Sequence, residues 1–142
     1  MLKYMYRSAF LALPLLSMFA SSSVSASQIV RQWYHGWWDC NIDGRPAQMV
    51  WEVVDDPQTK CYPDGTCSTT SAVKTVGWFS DNGAPWVHLG INNSSGTYFG
   101  IRYLGQEQDN WYLIHNPAND TATGKTTWRG QQYPLSCWNH RR

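Results

Sequence analysis

Trp37-Trp38-Asp39-Cys40-Asn41-Ile42-Asp43-Gly44-Arg45-Pro46-Ala47-Gln48-Met49-Val50-Trp51-Glu52-Val53-Val54 is the stretch whose reading decides the fold class. Asp43-Gly44 is a two-residue hairpin signal, because both central positions of the favoured turn require a positive φ. After it, Ala47, Met49, Trp51 and Val53 alternate with Gln48, Val50, Glu52 and Val54. That period of two belongs to a strand with one apolar face. Before the turn, Trp37 and Trp38 are strand neighbours and face opposite ways, so one of them points outward.

The same alternation of strand and turn continues in both directions. Asp55-Asp56-Pro57, Ser80-Asp81-Asn82-Gly83-Ala84-Pro85, Asn92-Asn93-Ser94-Ser95-Gly96 and Asn116-Pro117-Ala118-Asn119-Asp120 are turn chemistry. Between such breaks, residues 37–42, 47–54, 72–79, 86–91, 97–104, 111–115, 121–129 and 133–138 read as strands. A helical period is confined to a single turn at Ile29, Val30 and Trp33. The expected fold is all-β: an antiparallel meander of about eight strands, closed or nearly closed into a barrel, with a β-sandwich as the alternative. The chain has nine Trp, and large rings fill a small core efficiently. Trp51, Trp78, Trp111 and Trp128 sit in strand patterns and are expected to be structural.

Four cysteines, Cys40, Cys61, Cys67 and Cys137, permit three pairings. In Cys61-Tyr62-Pro63-Asp64-Gly65-Thr66-Cys67, Pro63 suits the first corner of a turn and Gly65 a left-handed position. Such a turn brings Cys61 and Cys67 together and leaves Cys40 for Cys137. That second bridge would join the first strand to the last, which favours barrel closure. In the chain-entropy model a loop of that length stabilises by roughly 4–5 kcal/mol. A four-cysteine zinc site does not suit the Cys61–Cys67 spacing, and no metal is expected.

Residues 1–26 have the parts of a secretory signal peptide: Lys3 and Arg7, an apolar run over 9–20, and Val24-Ser25-Ala26 before the expected cut. The apolar run is too short for a permanent membrane span. Residues 27–142 are then a single domain, secreted or periplasmic, where thiols oxidise. Removing Lys3 and Arg7 from 11 basic and 10 acidic residues leaves a net charge of about −1. With Arg141-Arg142 as the one basic pair, nucleic acid is not an expected partner.

Catalytic chemistry is sparse. His35, His88, His115 and His140 are dispersed, without metal-ligand spacing. Glu52 or Glu107 with Asp81 or Asp109 could be drawn as a glycosidase pair, but nothing in their spacing selects them. No nucleophile elbow, free thiol or phosphate-cradling loop is present. An enzyme is not expected, nor a cofactor.

Two resemblances are carried by identifiable residues. Trp37-Trp38-Asp39-Cys40-Asn41-Ile42-Asp43-Gly44-Arg45-Pro46, Trp51-Glu52-Val53-Val54-Asp55-Asp56-Pro57, the Cys61–Cys67 hairpin, Gly77-Trp78-Phe79-Ser80-Asp81-Asn82-Gly83, Gly100-Ile101-Arg102-Tyr103-Leu104-Gly105, Thr127-Trp128-Arg129-Gly130 and Tyr133-Pro134-Leu135-Ser136-Cys137-Trp138 resemble a small family of exported bacterial proteins of unknown function. Together they span most of the chain after the leader. Gly36-Trp37-Trp38 resembles the Gly-x-Trp opening of lipocalin-like barrels, a motif also found in bacterial metalloprotease inhibitors. That likeness implies a barrel whose opening Trp is covered by a late-strand Arg, for which Arg129 is the candidate.

The expected role is a small exported binding protein for an apolar small molecule or a glycan, with Trp38, Trp86, Tyr98 and Tyr103 as the candidate ligand-binding residues. The alternative is an interaction protein, such as a protease inhibitor, using Tyr62, Pro63 and Asp64 in the bridged loop. A hydrolase ranks third. A monomer is expected.

Overall fold

Trp38, Cys40 and Ile42 before the first turn, and Ala47, Met49 and Trp51 after it, are all 5% exposed or less. Their intervening neighbours Trp37 and Gln48 face solvent, so the alternation in the sequence is the alternation of the sheet. A computed structural model describes residues 30–105 and 108–140. The leader, its expected cut after Ala26, Ile29, Glu107 and Arg141-Arg142 lie outside the described residues.

The strands are β1 (Gly36–Ile42), β2 (Arg45–Asp55), β3 (Gln58–Cys61), β4 (Cys67–Thr70), β5 (Val73–Asp81), β6 (Val87–Ser95), β7 (Tyr98–Leu104), β8 (Gln108–Asn116), β9 (Thr121–Trp128) and β10 (Gln131–Asn139). Eight of them form a closed antiparallel barrel in the order β1-β10-β9-β8-β7-β6-β5-β2, and β3-β4 is a separate two-stranded hairpin. Closure removes the sandwich alternative. Asp43 and Gly44 have φ of 47° and 87°, the mirror-image turn that matches strand twist.

Two strands run further than their sequence suggests. Residues 92–95 continue β6 past a register shift between Ile91 and Asn93, because pairing with β7 carries this polar stretch through an irregularity. Likewise β8 begins at Gln108, opposite Leu104, in a segment too polar to read as a strand.

Both bridges form as expected. Cys40 and Cys137 are direct partners across the β1–β10 ladder, with side chains inside the barrel at 2% and 1% exposure. Cys61 and Cys67 close the β3–β4 hairpin. Trp51 packs over Gly77, where a Cβ would meet the indole at 2.4 Å, so this strand position has no room for a side chain.

The segment just before β1 fills one end of the barrel. Tyr34 stacks on Phe99 with centroids 3.8 Å apart, and Trp33 stacks on His115 at 4.6 Å. Trp38 Nε1 donates to the Tyr34 carbonyl at 2.9 Å, and Trp33 Nε1 to that of Gly96 at 3.1 Å. The expected cover of the Gly36-Trp37-Trp38 opening by Arg129 is not formed. The Arg129 guanidinium lies 5.6 Å over the Trp128 ring. Register explains the difference: Trp38 pairs with Asn139, whereas the β9–β10 turn lies beyond Leu135, the partner of Ile42. Arg129 and Trp38 are therefore at opposite ends.

Candidate functional site

At the other end of the barrel the described residues leave a space. Inward positions of β1, β5, β7, β8, β9 and β10 line a cavity of about 500 Å³ there. Its walls are aromatic: Phe79, Tyr103, Trp111, Trp128 and Tyr133. Alternation along each strand puts them there, two residues beyond the packed layer formed by Ile101, Leu113, Thr126 and Leu135.

These rings are held in place. Tyr103 stacks on Trp111 with centroids 4.9 Å apart and planes 17° apart. Phe79 meets Trp111 edge-on at 5.0 Å, and Trp128 meets Tyr103 edge-on at 6.0 Å. Trp111 Nε1 donates to the Thr127 carbonyl at 3.0 Å, and the Tyr133 hydroxyl donates to Gln131 Oε1 at 2.9 Å.

Among these rings stands a carboxylate. Asp81, the last residue of β5, accepts from Arg45 Nη2 through Oδ2 at 2.9 Å. Its other oxygen, Oδ1, is buried and has no hydrogen-bond partner among the described residues. Asp109 Oδ2 is in the same condition. Asp109 lies opposite Tyr103 in the β7–β8 ladder and two positions before Trp111, on the same face of β8. Burial first, and the Asp81 charge second, hold the Tyr103 phenol above its ordinary pKa. The phenol therefore stays a neutral donor at physiological pH. An apolar box with convergent polar groups is the general form of a small-molecule site.

Of the residues selected from sequence, Tyr103 lines this cavity and the other three stand elsewhere. Trp38 is 2% exposed beneath the filled end. Trp86 is 44% exposed on the outer wall, edge-on to Trp37 at 5.8 Å, in a shallow hollow shared with Val50 and Trp78. Tyr98 is on the outer face, stacked on Tyr112 at 6.0 Å. The four do not form one site. Trp111 is buried as expected, while Trp128 keeps enough exposure to edge the mouth. Asp81 went unselected because its sequence context, Asp81-Asn82-Gly83, reads as a turn. The clue was that a strand ending in Phe79 would carry residue 81 on the same inner face.

The bridged loop is built from its own hydrogen bonds. Asp64 Oδ1 accepts from the Thr66 backbone N–H at 2.9 Å and from its hydroxyl at 2.6 Å. The Thr66 bonds hold the Asp64 carboxyl below its ordinary pKa. Tyr62 N–H donates to the Thr66 carbonyl at 2.8 Å, and Lys60 Nζ sits 5.3 Å over the Tyr62 ring. Tyr62, Pro63 and Asp64 are exposed, as is every residue from 57 to 71.

Among the described residues no three His, Cys, Asp or Glu side chains are grouped as a metal ion would require. No curated protein and no solved structure matches the chain. The sequence matches a family model over residues 2–140, and the chain belongs to that family, DUF6006, a family of unknown function.

Proposed function

We propose that the protein is an exported, monomeric binding protein that holds a small ligand in the open end of its barrel. The observation that supports this reading most is the cavity of about 500 Å³ walled by five aromatic rings. Among the described residues, Trp33 and Tyr34 fill one end of the barrel, whereas rings only line the space at the other. Two disulfides suit an oxidising, extracytoplasmic compartment. Native mass spectrometry of the protein taken gently from its host's exported fraction tests the reading. A bound small molecule that is lost in the Trp128→Ala and Tyr103→Ala variants is the expected result. Protein that arrives empty, and whose Trp emission no small-molecule library perturbs, overturns it.

The β3–β4 hairpin supports a second reading, docking to a protein such as a protease. It adds no buried residue to the barrel, yet carries a disulfide and a self-bonded loop. A braced loop loses little entropy on binding. Replacing Tyr62 and Asp64 should abolish capture of such a partner without changing barrel stability. Unchanged capture removes the loop from the interaction.

A further inference from the structure

We infer that the outer wall of the barrel carries a second site, over β1, β2 and β5, that binds a short, neutral oligosaccharide. It is separate from the open-end cavity and does not rest on the reading above.

The site begins with a row of outward residues. Trp37 pairs with Val50, Val50 with Trp78, and Trp78 with His88, across four adjacent strands. Val50 points outward between Met49 and Trp51, which face the core, yet it is only 4% exposed. With Trp37, Trp78 and Trp86 it lines a hollow of about 340 Å³. Trp37 and Trp86 keep 47% and 44% of their own surface exposed. Their planes meet at 79°, so they form a corner rather than a flat strip.

Beside these rings lies a polar strip. Two residues further along β1, Asp39 pairs with Gln48 on one side and Trp138 on the other. Asp39, Asn41, Gln48, Asn82 and Trp138 line an adjoining hollow of about 490 Å³. Asp39 is held by the bond of its Oδ2 to His140 Nδ1 at 2.5 Å, while Gln48 and Asn82 are exposed. A pyranose has C–H groups on its faces and hydroxyls around its edge. The C–H groups suit indole faces, the negative part of the aromatic quadrupole. The hydroxyls suit the acceptor oxygens of Asp, Asn and Gln and the amide N–H groups.

Size and charge argue against other occupants. Trp37, Trp86 and Trp138, each less than half exposed, together offer roughly 300 Å². A stable protein interface needs about 800 Å² per partner. Among the described residues neither hollow is lined by Lys or Arg, which an anionic sugar or an acidic lipid surface would call for.

The test is calorimetric titration of the oxidised, leader-free protein with chitotetraose, cellotetraose and mannotetraose, and with tetragalacturonate as the anionic control. At least one neutral probe should bind, and the anionic one should not. Trp86 precedes β6, and Trp86→Ala, checked for fold by circular dichroism, should weaken binding on the order of tenfold, as loss of a stacked ring does. Gln48→Ala should weaken it by a smaller factor. If no neutral probe binds, the inference falls and the open-end reading stands. Equal binding of tetragalacturonate overturns the ligand's neutrality. Binding that survives both Trp86→Ala and Gln48→Ala removes the outer-wall site. A dimer that Trp86→Ala dissociates, seen by size-exclusion chromatography, makes the wall a contact between copies instead. Should Trp86→Ala not fold, Gln48→Ala decides in its place.

Discussion

The two ends of the barrel are built from the same residue types and finished differently. At the filled end, Trp33, Tyr34, Trp38, Phe99 and His115 pack on one another, and nearly every polar atom has a partner. Trp33 and Trp38 donate to backbone carbonyls. His35 is bonded through both ring nitrogens, and His115 through Nε2 to Asp120 at 3.0 Å. Trp51 Nε1 has no partner among the described residues. At the open end, rings line a space instead of filling it, and Asp81 Oδ1 and Asp109 Oδ2 have no donor among the described residues. The abundance of Trp and Tyr therefore says nothing by itself about binding. What distinguishes the ends is whether rings and polar atoms satisfy one another.

The sharpest way to break that comparison is to remove one Trp from each end. Trp38→Ala deletes a ring that is 2% exposed and should cost about 3–5 kcal/mol in denaturant unfolding. Trp128→Ala, at 39% exposure, should cost less, about 2–3 kcal/mol, in proportion to the smaller area it buries. Equal costs would mean that the open end is as structural as the filled one.

A smaller effect should follow pH at the filled end. His35 Nδ1 accepts from the Gln32 N–H at 3.1 Å, so its proton is on Nε2, facing Thr75 Oγ1 at 3.1 Å. Burial, and secondarily the Arg31 charge, hold its pKa below the ordinary 6.5. The unfolded chain therefore takes up this proton at a higher pH than the folded one. The stability that neutral His35 contributes is complete above pH 6.5 and is lost as pH falls through that value towards the folded pKa. Urea unfolding across this range should show stability declining with acid, and the decline should be shallower in His35→Gln. An identical slope in the variant would assign the acid sensitivity to other groups.

The smallest expected effect is on stability at the open end. Asp81→Asn removes an exposed-rim ion pair with Arg45, worth at most about 1 kcal/mol. The midpoint of thermal unfolding should barely move in the ligand-free protein. A large loss would make Asp81 a structural residue, and the contrast between the ends would weaken.

Most of the barrel was legible in the sequence because its signals are local. Asp43-Gly44 needs only its own backbone to declare a turn, and Ala47, Met49, Trp51 and Val53 declare a face by spacing alone. Both cysteine pairs followed once the 61–67 turn was recognised. The cavity was not legible, because Phe79, Tyr103, Trp111, Trp128 and Tyr133 come from five strands and their convergence depends on register. The neighbours Trp37 and Trp38 announced that one ring faces in, but not at which end. Trp38 was thus a reasonable candidate that lies beneath the filled end. Arg129 was misplaced for the same reason: a turn's end of the barrel is fixed by pairing across 97 residues, not by composition.

The position of the Cys40–Cys137 bridge has a consequence for the order of events in maturation. Both sulfurs belong to side chains that the closed wall shields almost completely. Thiol–disulfide exchange needs a thiolate to approach a sulfur directly, so an oxidant reaches these residues only while the sheet is still open. Oxidation thus precedes closure, and the finished wall then protects the bond from reductants. Cys61–Cys67 stands outside on its hairpin and remains exchangeable throughout. One bridge is a record of how the chain folded, and the other a gauge of the redox conditions around it.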